Sequence, residues 1–254
     1  MRAGLDRVTV DIVARNRWNR STVRVLDDVT LPLPVGSMTA LVGESGCGKS
    51  MVAAALSGLL PPGSAPTGRL RVGDEVFTDR ELTGADRRWR GLRGHRIGSV
   101  PQSASTSFTP VRSVGAQLDE VIGILGGPDD AVELCRRVHL DPAALRLYPH
   151  ELSGGMAQRA AIAAALAGDP DTIVADEPTS ALDAELAADI WELLAEAASA
   201  GAAVLVITHD VETMRRGCDS VAVMRAGRIV DHRRLDEIVA SDDAYVAGFF
   251  ERVP

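Results

Sequence analysis

Glycines at positions 43, 46 and 48, followed at once by Lys49 and Ser50, confine this chain to a narrow set of folds. The segment Gly43-Glu44-Ser45-Gly46-Cys47-Gly48-Lys49-Ser50 satisfies G-x-x-x-x-G-K-[ST] at every fixed position. Residues 37–42 before it are apolar and β-compatible, and residues 50–56 after it are helix-compatible. Strand, glycine loop and helix are the setting in which such a loop wraps its backbone N–H groups around phosphate. The helix N-terminus adds partial positive charge. Lys49 is placed to neutralise β/γ-phosphate charge, Ser50 to offer its hydroxyl to Mg²⁺, and Met51 follows in the first helical turn. The expected cofactors are therefore ATP and Mg²⁺. Cys47 fills a variable position of the loop as a small residue. A thiol at a helix start can also have a lowered pKa and be reactive, so both readings stand here.

A second glycine-rich segment, Leu152-Ser153-Gly154-Gly155-Met156-Ala157-Gln158, precedes an alanine-rich helix with Ser153 at the N-cap position. One nucleotide needs one cradle. Two anion-binding helix starts suggest a γ-phosphate gripped from two sides.

The remaining pattern supplies the setting. Val8-Thr9-Val10-Asp11-Ile12 alternates like a half-buried strand, and residues 23–33 and 70–77 are β-rich with a turn at Gly73-Asp74. Gly63, Pro66 and Gly68 mark a loop. Ala131, Leu134, Cys135 and Val138 share a helical face that ends at Asp141-Pro142. Residues 172–175 and 203–207 read as buried parallel strands, with a helical stripe at Leu186, Ile190, Leu193 and Ala197 between them. These elements predict one α/β domain over 1–254: a nucleotide-binding core with an antiparallel β subdomain over about 1–102 and 166–254, and an inserted α-helical subdomain over about 103–165.

Acidic residues complete a site. Asp176 and Glu177 follow the strand 172–175, where nucleotide sites form in parallel sheets. Asp176 suits a metal-holding role and Glu177 that of general base. His209 ends the strand 203–207 beside Asp210, in reach of a γ-phosphate, and Gln102 ends a short strand at 97–100 with an amide suited to Mg²⁺ or water.

Composition narrows the partners. Lys+Arg 27 against Asp+Glu 35 leaves a formal net charge of −8, which argues against a general nucleic-acid surface. No apolar stretch reaches the roughly 18 residues that span a bilayer. The start shows no apolar leader region, so the chain is expected to remain in the cytoplasm. Cys47, Cys135 and Cys218 form no C-x-x-C pair and read as reduced thiols, and the five histidines have no ligand spacing.

Taken in order, these motifs resemble the ATPase subunits of ABC transporters over nearly the whole chain. Residues 43–50 are similar to Walker A, Gln102 to the Q-loop, 152–158 to the signature, 172–177 to Walker B, Ser180-Ala181-Leu182-Asp183 to the D-loop, and His209 to the switch histidine. The resemblance implies a head-to-tail dimer with two ATP molecules between subunits. Ser153, Gly154 and Gly155 of one chain, with Asp183 nearby, would then face the ATP of the other. It implies two membrane permease subunits docked near Gln102 and the helical subdomain, placing the chain at the cytoplasmic face of the membrane. An extracytoplasmic solute-binding protein would act indirectly. It also implies an aromatic residue stacked on adenine, for which Trp18 is the aromatic available before the loop.

Residues 147–156, with Met156 where many transporters carry Gln, together with 101–110 and 221–230, resemble the peptide/nickel importer branch. Ser103, Ala104, Ser105 and Thr109 depart from the branch's usual residues. The end after residues 244–250, with no cysteine-containing extension, resembles nickel or metallophore members. The branch commonly pairs two related ATPases, so a heterodimer is expected. A soluble ABC ATPase acting on nucleic acid or the ribosome is the alternative. It would need long heptad repeats or a second cassette, and neither is present.

Overall fold

The computed structural model describes residues 3–16, 19–104, 107–215 and 217–250. Two sheets carry the architecture. The first is antiparallel, in the order β2-β1-β4-β5, from β1 (Ala3–Asn16), β2 (Asn19–Leu33), β4 (Ser64–Val72) and β5 (Glu75–Thr78). The second has the order β10-β9-β3-β8-β7-β6, from β3 (Ser37–Gly43), β6 (Ile97–Val100), β7 (Thr172–Asp176), β8 (Ala203–Ile207), β9 (Ser220–Arg225) and β10 (Arg228–Arg234). Strands β9, β3, β8, β7 and β6 run parallel, and β10 adds an antiparallel edge.

Strand alternation divides the interior into two cores. Met38, Ala40, Val42, Val204, Val206, Val221 and Val223 face the first, with α5 (Gly154–Leu166), α6 (Ala184–Ser199) and the helices α3 (Val114–Leu125) and α4 (Ala131–Arg137). Leu41, Val174, Leu205, Ile207, Ala222 and Met224 face the second. There they meet α1 (Lys49–Leu56) and the antiparallel sheet through Leu5, Val10, Leu31, Leu70 and Phe77. Each such side chain contributes about 1.5–3 kcal/mol on full burial.

The expected strands at 172–175 and 203–207, the turn at Gly73-Asp74 and the helical face of α4 are all present. One expectation needs correction. Pro66 and Gly68 do not mark a loop but lie inside β4, with Pro66 opposite Val10. The β1–β4 register shifts between Asp6 and Thr9, and Gly68 takes φ +104 against the Arg7 carbonyl, where a Cβ would collide. A bulge therefore accounts for the glycine. Helix α3 was not anticipated, although Ser113 caps it by accepting from Ala116 N at 3.3 Å and Val114 and Leu118 bury one face.

Candidate nucleotide site

Strand β3 lies between β8 and β9 and ends at Gly43, so the loop that follows opens at the carboxyl edge of the parallel sheet. Its glycines do different things. A Cβ on Gly43 would strike the Met224 carbonyl and lie 2.8 Å from the Cys47 sulfur. Gly48 is the N-cap of α1 with φ +114, and a Cβ there would meet the Val25 carbonyl at 2.9 Å. Gly46, at φ +78, faces open space. Glu44, Ser45 and Gly46 are exposed, whereas Lys49 is only 8% exposed. Its Nζ donates to the loop's own carbonyls, Gly43 O at 2.7 Å and Glu44 O at 3.0 Å. The lysine is thus folded over the place where an anion would sit. Met51 is partly buried against the second core.

Cys47 is buried, and burial raises its thiol pKa despite Lys49 and nearby backbone donors. Desolvation outweighs the helix start, so the small-filler reading of Cys47 stands and the alternative of a lowered, reactive thiol does not.

Across the loop stand the ends of β7 and β8, in register at Asp176 and Ile207. Asp176 stands near the Ser50 hydroxyl, and its Oδ1 is buried without a partner. An orphaned carboxylate oxygen beside a hydroxyl is a donor set that suits a hard cation such as Mg²⁺. Glu177 has φ 47, and its N–H donates to Ile207 O at 2.9 Å. This sparsely populated conformation turns the carboxylate away from the strand. Glu177 Oε2 accepts from Gln102 Nε2 at 3.1 Å and lies 3.5 Å from His209 Nδ1. The structure thus gathers Gln102, Glu177 and His209 on one oxygen. Asp210, after the histidine, caps α7 (Val211–Met214) by accepting from Thr213 N at 3.1 Å.

Ser153 is the N-cap of α5 and accepts from Met156 N at 3.2 Å. The helix begins at Gly154, directly after the expected cap. Gly154 and Gly155 lie against Leu182 and Leu186, and the Arg159 guanidinium joins α5 to Asp189 of α6 at 2.6 Å. Asp183 is committed to a cap, accepting from Leu186 N at 2.9 Å. The loop at 43–50 packs with the second core and Ser153–Gly155 with the first, so the structure does not gather both grips on one core. Trp18 lies outside the described residues. Sequence reading missed Met224, whose carbonyl lies against Gly43, and Tyr245, whose hydroxyl donates to that carbonyl at 3.2 Å; about 180 and 200 residues away from the loop, they carry no spacing signal.

A glycine loop between a central parallel strand and a helix, faced by an acidic strand end, defines a P-loop nucleotide-binding domain. Residues 26–180 match the family model described as ABC transporter, and the chain belongs to that family of ATPases. It is 42% identical over 246 residues to the probable peptide ABC transporter ATP-binding protein y4tR of Sinorhizobium fredii, covering 92% of this chain and 72% of that protein. It is 36% identical over 244 residues to the dipeptide transport ATP-binding protein DppD of Bacillus subtilis, with the same coverages. Among solved structures, the ATP-binding cassette MJ0796 in a dimeric, post-hydrolysis state bound to ADP and Pi is similar with a TM-score of 0.74. Its identity is 26%, covering 92% of this chain and 98% of that one.

Proposed function

We propose that this chain is the ATP-hydrolysing subunit of a peptide importer, in which ATP-driven closure of two such subunits powers uptake. The loop at 43–50 holds the phosphates with its N–H groups and Lys49, which leaves the Gly43 and Glu44 carbonyls for the nucleotide. Ser50 and Asp176 would hold Mg²⁺, with Gln102 nearby; the ion would supply charge neutralisation at the phosphates. Glu177 takes a proton from the attacking water, and His209 orients that carboxylate and meets the γ-phosphate. Ser153, Gly154 and Gly155, with the capped Asp183, present a helix start to the ATP of a second subunit. Trp18 is proposed to stack on the adenine.

The observation that carries the reading is Glu177: a carboxylate in an uncommon backbone conformation, held between Gln102 and His209 opposite the loop. The relatives named for peptide and dipeptide transport support peptides as the solute. Nickel or a metallophore, expected from the chain's end, has no such support. We favour a heterodimer with a related ATPase. No helix among the described residues is long and apolar enough to cross a membrane. Family membership supports attachment at the cytoplasmic face through two permease subunits. A groove of about 460 Å³ beside the edge strand β6, lined by Leu59, Pro101, Phe108, Val121 and Leu125, suits them. A solute-binding protein on the other side would act through those permeases, and no nucleic acid is involved. Residues 1–254 are read as one ABC ATPase domain, with the core and β subdomain over about 1–102 and 166–254 and the helical subdomain over about 103–165.

Glu177→Gln tests the assignment. It should bind MgATP normally, lose about 10²–10³-fold in turnover, and accumulate as an ATP-bound dimer on size-exclusion chromatography. Turnover near that of the parent would refute the role of Glu177.

A further inference from the structure

Strands β9 and β10 are joined by a tight turn. Arg225 pairs with Arg228, which leaves Ala226 and Gly227 as a two-residue loop with φ 46 and φ 83. Positive φ at both central residues matches a type I′ hairpin, whose twist suits that of the strands. Gly227 also lies against β2, where a Cβ on it would come within 2.7 Å of the Val25 carbonyl.

This turn touches the phosphate loop directly. The Gly227 N–H donates to Cys47 O at 2.9 Å, and the Gly227 carbonyl accepts from Asp27 N at 2.8 Å. One residue thus links the loop to β2 through both halves of its main chain. The Val25 carbonyl that crowds Gly227 crowds Gly48 as well, where a Cβ would lie 2.9 Å from it. Met224, further back on β9, presses its methyl group on Gly48 from the same hairpin. The Cys47 carbonyl and the Gly48 N–H belong to one peptide unit, and the described chain has no cis peptide bond. In a trans unit the two groups point in opposite directions. With the carbonyl turned out to Gly227, the Gly48 N–H is turned away from the hairpin and into the loop.

We propose that Gly227 is a positioning residue for the phosphate loop, holding the Cys47–Gly48 peptide so that the Gly48 N–H faces the bound phosphate. Without that hold the peptide plane is free to rotate, and the loop must be reordered when phosphate binds. Glycine is required because no side chain fits between the turn and β2.

Gly227→Ala forces the turn off Val25 and so draws its N–H away from Cys47. Gly68→Ala is the control. Gly68 also has positive φ and a carbonyl in the way, Arg7 O at 2.3 Å, but it lies in β4, separated from β2 by β1. Both full-length variants should melt below the parent. Without nucleotide, a soluble thiol reagent followed by mass spectrometry compares Cys47 with Cys135, a buried thiol of the other core. In Gly227→Ala, Cys47 should label at least about tenfold faster relative to Cys135 than in the parent, and in Gly68→Ala no faster. The inference rests on the nucleotide reading, so MgATP affinity is measured alongside, at a temperature where every chain is folded. Gly227→Ala should bind about tenfold more weakly, as for one hydrogen bond lost to a charged group, and Gly68→Ala as the parent does. Unchanged Cys47 labelling or unchanged affinity in Gly227→Ala would overturn the proposal. So would the same two changes in Gly68→Ala. If Gly227→Ala does not fold, hydrogen exchange in the nucleotide-free parent decides. The Gly227 amide should then exchange at least about 100-fold more slowly than that of exposed Gly46, and equal rates would overturn the proposal. A parent that fails to bind MgATP would instead overturn the nucleotide reading, and the labelling would still show whether the turn holds the loop.

Discussion

Asp176 ionises against its surroundings. Burial raises its pKa, the nearby Ser50 hydroxyl opposes that, the Glu177 charge adds to it, and Lys49 opposes it again. The folded-state pKa therefore lies above the unfolded value of 3.8. Between the two values the folded protein holds more protons than the unfolded chain, so stability falls as pH rises through that window. Above the folded pKa the whole penalty applies. Asp176→Asn removes it. The variant should melt higher than the parent at pH 7 and match it at about pH 3, below both values, when nucleotide and metal are absent. Mg²⁺ bound at the free Oδ1 would offset the same penalty in the parent. At a hundredfold excess over Kd, MgATP stabilises a binding-competent protein by about 2.7 kcal/mol. Asp176→Asn should forfeit most of that gain, and calorimetry with and without MgATP checks both signs. The residues of this site that sequence displays are those whose chemistry is local. Lys49, Ser50 and Asp176 stand at fixed offsets from their own strands. Met224 does not, because it reaches Gly43 only once β9 has been laid beside β3.

Helix α5 shows how one side chain serves two purposes at the scale of an element. Ser153 caps the helix from within and presents the same hydroxyl to solvent at an exposed N-terminus. Ser153→Ala should lower the melting midpoint by about 2–4 °C, the effect of a lost cap in a chain of this size. If the serine also grips ATP across a dimer, turnover at saturating ATP should fall at least about tenfold, a loss beyond what one cap explains. Ser153→Asn separates the two purposes. Asparagine caps as well as serine, so the midpoint should recover while turnover does not. Full recovery of turnover would leave Ser153 as a cap alone. Elements with a strong period or a local cap, such as α4, α6 and β8, were legible from sequence. The first part of β4 was not, because Pro66 and Gly68 read as loop punctuation, although its end at residues 70–72 was read as β-rich. What keeps them in a strand is the bulge opposite Arg7, a residue about 60 positions away whose register no local pattern reveals. Helix α3 escaped for a different reason: Gly115, Gly123 and Gly126 dilute its apolar period, while Ser113 still supplies its cap.

For the whole molecule, the six-stranded sheet acts as a partition. Its alternating side chains build one core with α5 and α6 and another with α1 and the antiparallel sheet. Apolar runs and an intervening helix identified parallel strands but not their order in the sheet. The placement of β9 and β10 on the far side of β3, which brings Met224 under the loop, depends on long-range pairing. That partition has a kinetic consequence. Helix α1, which carries the phosphate loop, and helix α5, which carries Ser153–Gly155, belong to different cores. On the proposed reading, each complete site then draws on two chains. Hydrolysis by dilute subunits should accordingly rise with the product of the concentrations of this chain and its partner ATPase, and become first order only when most chains are paired. Specific activity measured across a dilution series would show this as a slope that vanishes above the pairing constant. A cell that holds the subunits together on a membrane raises their effective concentration, and so sets the rate of fuel use by assembly as well as by chemistry.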